Sequence, residues 1–423
     1  MNVFFYTMGC KVNQYETQLL CERFEAAGHK ITSADIADVI VVNSCSVTAE
    51  SDRKARQALR RFRKNSNATI VLCGCFSQGG GNVDGLADVI TGNNDYDCFV
   101  EKIEQYQKDK KPVTFISKHK NGEAFAKCQI SGFSEHTRAF IKIEDGCDNF
   151  CSYCIIPYTR GRVRSKDPAS IKAEAERLSQ NGFCEIVLVG INLCNYGKGT
   201  DYTLCDAVYA AAEVEGIKRI RLGSLEPDHI SDDDLARLAA CKKFCPNFHL
   251  SLQSGCSATL KRMNRHYDAE YYKNLVKKIR KHFKYVSITT DIMSGFPGET
   301  EEEFEQSAAF FKEVGFARAH VFAYSRRPGT VADRAPDQVP ENIKKQRSRI
   351  LGNIAAESEK EYIQKNLGQT RSVLFETVED GMLFGYTDDY IRVCMPFFEG
   401  ILSTICDVKL IKTDGTTCIC EKI

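Results

Sequence analysis

Cys147, Cys151 and Cys154 stand in the run Cys147-Asp148-Asn149-Phe150-Cys151-Ser152-Tyr153-Cys154, and no fourth Cys or His follows nearby. Thiols at this density form a soft donor set, suited to an iron–sulfur cluster or a soft metal ion. A closed zinc site takes four ligands, usually on two paired arms, and only one arm is present here. A four-iron cube held by three thiolates keeps one iron open to a ligand that is not protein. The plainer alternative is a trio of buried or zinc-binding cysteines.

Three more cysteines close apolar, strand-like runs: Val3 to Tyr6 before Cys10, Val39 to Val42 before Cys45, and Thr69 to Leu72 before Cys75. The intervals are about one βαβ unit. A helix is predicted from Gln14 to a stop at Gly28, and another from Ser51, as N-cap, to about Asn65. In an open parallel sheet the carboxyl ends of the strands share one crevice, so Cys10, Cys45 and Cys75 would meet at one edge. That arrangement suggests a second three-thiolate cluster, against the alternative of three unrelated free cysteines. Cys73 competes with Cys75 but lies inside the apolar run, where a core role is expected.

The elements that must hold the central triplet recur downstream. Strand signals appear at Ala139 to Ile143, Glu185 to Val189, Arg219 to Leu222, Phe248 to Leu252, Tyr285 to Ile292 and Ala317 to Ala323, alternating with helical stretches. Asp167-Pro168 and Ser231 open two of those helices. Repeated β/α units of this kind predict a curved parallel sheet, a (β/α)6 relative of the eight-fold barrel, with its site at the carboxyl ends. His249 has no metal-spaced partner and reads as a core histidine. Asn342 to Asn366 reads as a mixed-charge connecting helix. After Gly368 short β runs with turns at Asp380-Gly381 and Asp414-Gly415 predict a small antiparallel barrel.

The C-x3-C-x2-C spacing, with Tyr153 before the last Cys, resembles the radical S-adenosylmethionine enzymes. Gly9-Cys10-Lys11-Val12-Asn13-Gln14-Tyr15-Glu16, Asn43-Ser44-Cys45-Ser46-Val47-Thr48 and Gly74-Cys75-Phe76-Ser77-Gln78 resemble the N-terminal domain of one branch, the methylthiotransferases. The resemblance implies a 4Fe–4S cluster on Cys147, Cys151 and Cys154, whose open iron takes S-adenosylmethionine. It implies an auxiliary 4Fe–4S cluster on Cys10, Cys45 and Cys75. Strand-end words repeat the family pattern, and from them Tyr153, Gly190, Ser224, Glu226, Ser251, Gln253 and Gly295 are expected around the cofactor. Gly223 and Cys194 depart from that pattern. The C-terminal barrel resembles the TRAM domain, an RNA-binding module.

The implied organisation is multidomain α/β: an open parallel α/β domain over 1–135, a partial barrel over 136–367 and a small β-barrel over 368–423. The implied reaction adds a methylthio group to carbon 2 of N6-threonylcarbamoyladenosine at position 37 of transfer RNA, beside the anticodon. S-adenosylmethionine would be both radical source and methyl donor, with electrons from a protein such as a flavodoxin or ferredoxin. No acid–base residue is expected to catalyse, because purine carbon 2 is too weak an acid for any side-chain base. The subgroup follows from Lys11-Val12-Asn13-Gln14-Tyr15-Glu16-Thr17. The alternatives are the same reaction on N6-isopentenyladenosine, and an iron–sulfur RNA-binding protein without catalysis.

A net charge of +1 over 423 residues leaves RNA contact to local patches rather than a global field. One such patch is the helix carrying Arg53, Arg60, Arg61 and Arg63; a solvated charged face is the alternative. Twenty cysteines are compatible with a secreted disulfide protein. Against that, Met1-Asn2-Val3-Phe4-Phe5 lacks a basic leader and no apolar run is long enough to span a membrane, so a reducing cytoplasm is expected.

Overall fold

The computed structural model describes residues 1–423 except 82, 84, 134 and 135. The expected first domain boundary, after residue 135, lies outside the described residues. Strands β1 (Asn2–Thr7), β2 (Lys30–Ile31), β3 (Val39–Ser44), β4 (Thr69–Gly74), β5 (Val89–Thr91) and β6 (Val113–Phe115) form a parallel sheet in the order β2-β1-β3-β4-β5-β6. Strands β3 and β4 are buried along their whole length, as a sheet covered on both faces requires. The short strands β2, β5 and β6 escaped the sequence reading, being too brief to show a period.

Helix α1 (Lys11–Ala26) begins earlier than expected, with Cys10 as its N-cap. Helix α2 (Ala49–Asn65) begins at Thr48 rather than Ser51: the Thr48 hydroxyl accepts the Ser51 N–H, so Ser51 lies one turn inside. Helix α3 (Cys75–Gln78) follows β4 directly, and α4 (Phe99–Asp109) lies between β5 and β6.

The middle of the chain carries β7 (Ala139–Lys142), β8 (Glu144–Asp145), helix α5 (Ile156–Arg160), β9 (Arg164–Ser165), β10 (Glu185–Val189), β11 (Arg219–Leu222), β12 (Ser224–Leu225), β13 (Asn247–Leu250), β14 (Ser287–Ser294) and β15 (Arg318–Ala323). The six expected strand positions are all occupied, the third, Arg219 to Leu222, by β11, and a further short strand, β12, follows it after Gly223. Strand β11 pairs with β10 and β12 pairs with β13, so the curved sheet is two segments, β11-β10-β7 and β12-β13-β14-β15. Outward residues such as Ile141, Ile186, Leu188 and Ile220 join one large core under the helices, whereas Phe140, Val187 and Val189 face the lumen and pack on Val12 of α1.

The connector, Glu341–Asn366, leads to β16 (Thr370–Glu379), β17 (Met382–Thr387), β18 (Arg392–Pro396), β19 (Ile405–Thr413) and β20 (Cys418–Lys422), closed in the order β16-β17-β18-β20-β19. This barrel seats on the amino ends of the central strands. Arg221 donates to the carbonyls of Asp388 at 2.6 Å and Thr387 at 2.7 Å, and Arg138 bonds the Tyr390 hydroxyl at 3.1 Å. Among the described residues no helix is long and apolar enough to cross a membrane.

Candidate active site

The central cysteines sit in a loop at the carboxyl end of β7, and the loop is over-determined. Gly146 has φ +88°, and a Cβ there would stand 2.0 Å from the Arg162 carbonyl oxygen, so only glycine fits. Phe150 takes a left-handed φ of 48°, turning the chain between Cys147 and Cys151. Ser152 donates to the carbonyls of Met263 and Arg262, and Asn264 donates to those of Asn149 and Phe150. The turn at 262–264 therefore clamps the loop.

Each central sulfur accepts one hydrogen bond: Cys147 from Asn192 Nδ2 at 3.7 Å, Cys151 from Arg265 Nη1 at 3.2 Å, and Cys154 from the Ile156 N–H at 3.4 Å. Burial pushes the Cys147 thiol up to about 12, and raises Cys151 and Cys154 as well. Without a metal these are inert thiols; iron must displace their protons, and the three donors then face electron-rich thiolates. Among the described residues no group of three His, Cys, Asp or Glu side chains is placed to hold a single metal ion. A four-iron cube spreads its ligands over separate corners, a wider arrangement than one ion demands.

Arg265 gathers several of the expected residues. It forms an ion pair with Glu226, bonds the Tyr153 hydroxyl at 3.4 Å, and reaches the Ser251 carbonyl at 3.4 Å. Ser224 and Ser251 share a hydroxyl contact of 3.3 Å. Gln253 holds a left-handed φ of 64°, and its Oε1 is buried without a hydrogen-bond partner. Asn192 Oδ1 and Glu144 Oε1 are buried and unpartnered in the same way. Free buried acceptors at the carboxyl ends of a curved sheet are where a ligand with N–H and O–H groups fits.

The remaining two expected residues have local packing reasons. The space of a Cβ at Gly190 is taken by Glu144 Oε2 at 2.6 Å and Leu193 at 2.8 Å; Glu144 accepts the Ile191 and Asn192 N–H groups there, both at 2.7 Å. Gly295, φ +69°, lies against Lys344 of the connector helix, whose Cγ would be 2.4 Å from its Cβ. Arg265, Glu144 and Asn192 were not singled out from sequence, since no spacing rule marks a lone residue on a distant turn. His249, read as a core residue, instead lies half-buried on the lumen side, bonded to Thr289 at 2.9 Å and facing Asp291 at 3.3 Å.

The other three cysteines follow neighbouring strands whose ends are level. Register pairs Thr7 with Asn43 and Ser44 with Gly74. A Cβ on Gly9 would stand 2.8 Å from the Cys45 Cβ, and one on Gly74 would stand 2.4 Å from the Ser44 carbonyl oxygen. Cys10, Cys45 and Cys75 thus share one sheet edge. Cys75 is buried, burial pushes its thiol up to about 12, and it accepts from Arg160 Nε at 3.2 Å. Cys73 points the other way, into the main core, as expected.

Arg160 joins the two sets. It is fully buried on α5, shortly after Cys154, and bonds Glu16 at 2.7 and 3.1 Å and Asp145 at 3.2 Å. Lys142 completes the network, 2.8 Å from Glu16 and 2.6 Å from Asp145. Burial alone would raise the Glu16 carboxyl, but the Arg160 and Lys142 charges outweigh it and hold it below its ordinary value. Tyr15, one position earlier, is buried against Glu174 at 2.9 Å, and Asn13 bonds Asn43. Most of the word that suggested a substrate subgroup therefore serves packing, Asn13 and Thr17 within the N-terminal domain and Val12, Tyr15 and Glu16 between domains.

Residues 141–311 match the radical SAM superfamily, and residues 2–88 match the uncharacterized protein family UPF0004. The threonylcarbamoyladenosine tRNA methylthiotransferase MtaB of Bacillus subtilis is 37% identical, over 97% of this chain and 94% of its own. That of Aquifex aeolicus is 36% identical over 93% and 96%. The chain belongs to the radical SAM methylthiotransferase family. A tRNA-2-methylthio-N(6)-dimethylallyladenosine synthase of Clostridium botulinum is 33% identical over 99% of this chain and 96% of its own. Among solved structures, the radical S-adenosylmethionine methyltransferase TsrM of Kitasatospora setae shares the fold, with TM-score 0.57 and 14% identity over 76% of this chain and 72% of that one.

Family membership brings 4Fe–4S clusters and S-adenosylmethionine as cofactors. The donor sets described above fit them: two trios of cysteines, with N–H donors already directed at sulfur. On α2, Arg60 is exposed and makes no ion pair among the described residues. Arg53 pairs with Glu50 at 2.6 Å, Arg61 lies over the Phe62 and Tyr6 rings, and Arg63 pairs with Asp88 at 2.9 Å. The four arginines thus differ in how free they are to meet phosphate.

Proposed function

We propose that this chain attaches a methylthio group to carbon 2 of N6-threonylcarbamoyladenosine at position 37 of transfer RNA. The observation that carries the reading is Arg160, on the short helix after Cys154, donating to the sulfur of Cys75, in a chain that matches the threonylcarbamoyladenosine enzymes over nearly its full length. Cys147, Cys151 and Cys154 would hold the cluster that takes S-adenosylmethionine, and Cys10, Cys45 and Cys75 the auxiliary one. When bound, these groups supply hydrogen-atom abstraction and a methylated sulfur, chemistry no side-chain base offers at an unactivated purine carbon.

The protein's own part is positioning. Arg265 fixes Glu226 and Tyr153 beside the central trio, while the free oxygens of Asn192 and Gln253 are acceptors for the cofactor's amine and hydroxyl groups. Gly190 and Gly295 act one step back, by admitting Glu144 and Lys344. The working division is 1–135 for the auxiliary cluster, 136–367 for the radical chemistry and 368–423, with the free side chains of α2, for RNA. A reductant of the flavodoxin or ferredoxin class and a cytoplasmic setting complete the reading.

The test is mass spectrometry of digested transfer RNA from a strain lacking the protein, before and after complementation. The methylthio mark should return on threonylcarbamoyladenosine. Its return only on isopentenyladenosine would overturn the substrate while leaving the reaction class intact.

A further inference from the structure

The first residue of α1, Lys11, makes no ion pair with any of the described residues. Its neighbour Val12 packs on Phe140, Val187 and Val189, which places the start of α1 on the lumen face of the curved sheet. Tyr390, Arg138, Arg221, Glu185 and His320 of β15 are all within electrostatic reach of the Lys11 ammonium. The side chain remains open to the cleft although protein surrounds it on most sides.

The arginines at this end of the lumen are all engaged. Arg138 pairs with Glu376 at 2.7 Å, while Arg219 and Arg221 pair with Glu185 at 3.3 and 2.6 Å. On the opposite wall Asp291 faces His249 at 3.3 Å. Among the described residues Lys11 is the member of this group with neither an ion pair nor a hydrogen bond. An ammonium held in a concave space with no ion-pair partner among the described residues favours an anionic ligand.

We propose that Lys11 is a specificity-determining residue that receives the carboxylate of the threonylcarbamoyl group when the base enters the lumen. The inference rests on the proposed substrate, and it explains why one residue of the word after Cys10 is not used in packing. A hydrocarbon substituent in the same place would cover the ammonium without pairing it, and would be disfavoured for that reason.

The experiment uses the full chain, reconstituted with iron and sulfide without oxygen, and fluorescence anisotropy of anticodon stem-loops. The stem-loops carry at position 37 threonylcarbamoyladenosine, its neutral methyl-amide analogue, isopentenyladenosine or adenosine. The wild-type chain should prefer the carboxylate over the amide by about tenfold, the scale of one charge-assisted hydrogen bond. K11M should lose that preference while binding the adenosine stem-loop as before, and K11R should keep part of it. Iron content is measured for each variant because Lys11 adjoins Cys10. If K11M loads poorly, K11Q and the wild-type comparison of carboxylate with amide decide the matter. Equal wild-type affinity for carboxylate and amide overturns the proposal, as does an undiminished preference in the loaded Lys11 variants. Wild-type preference for isopentenyladenosine over both threonylcarbamoyl forms instead overturns the substrate reading beneath it.

Discussion

Arg160 Nε donates to the Sγ of Cys75 at 3.2 Å across eighty-five residues of sequence. The same guanidinium is held by Glu16 of α1 and Asp145 of β8, so one buried side chain touches both sides of the boundary between the cysteine sets. Arg160 follows Cys154 by only a short helix. A displacement of the central loop must therefore move a donor on the other trio, or break a buried ion network.

Replacing Arg160 with Met should cost about 3–5 kcal/mol of stability, because Glu16 loses its bidentate partner inside the protein. R160K is the more informative variant: it keeps a charge but loses the planar fork and the Nε donor. A cationic N–H on a cluster sulfur favours the reduced form, so R160K should lower the reduction potential of the cluster on Cys10, Cys45 and Cys75. Potentiometry followed by electron paramagnetic resonance checks this; an unaltered potential would assign Arg160 to folding alone.

Two independent clusters predict an iron count. Anaerobic reconstitution should give about eight irons per chain, and the Cys147/Cys151/Cys154→Ala variant about four. S-adenosylmethionine should perturb the spectrum of the wild-type chain and of the Cys10/Cys45/Cys75→Ala variant, but not that of the central triple variant. About four irons in the wild type would mean that one trio holds nothing.

What was legible in sequence was whatever repeats or clusters. The strand runs before Cys10, Cys45 and Cys75 are continuous apolar stretches, and the parallel order that joins their ends follows from their spacing. The short strand β12 after Gly223 was not legible, because two residues that change pairing partner leave no composition signal. Nor were Arg160 and Arg265, which reach their sulfurs from other elements and resemble any other arginine in the chain. The word following Cys10 pointed to the family, yet Asn13 serves packing inside the N-terminal domain and Tyr15 and Glu16 packing between domains, and only the structure separates them from Lys11.

Glu144 gives a pH dependence. Burial pushes its carboxyl from the ordinary 4.5 up to about 8, although the Ile191 and Asn192 N–H groups oppose the shift. The folded chain then binds a proton more tightly than the unfolded one between those values, so this group's contribution to stability falls as pH rises through that window and levels off above it. The loss is about 5 kcal/mol as an upper limit. E144Q, which can still accept the two backbone N–H groups, should flatten the dependence. The apparent melting temperature of the metal-free chain from pH 5 to about 8.5 is the measurement; parallel profiles for both proteins would show that Glu144 is ionised throughout.

The basic helix α2 does not act as a uniform surface. Arg63 is half-buried, pairs with Asp88 at 2.9 Å and donates to the Leu86 carbonyl, and Arg61 lies over the Tyr6 and Phe62 rings. Lys54, Arg60 and Lys64 are exposed and form no ion pair among the described residues. If this face meets the phosphate backbone, replacing those three with Ala should reduce the slope of log affinity against log salt by up to about two to three units. R63A should leave the slope alone and instead destabilise the N-terminal domain, because it strips a partner from a half-buried carboxylate. Transfer RNA binding measured from low to moderate salt separates the two effects. An unchanged slope and affinity in the triple variant would return α2 to a solvated face and leave RNA binding to other surfaces of the chain.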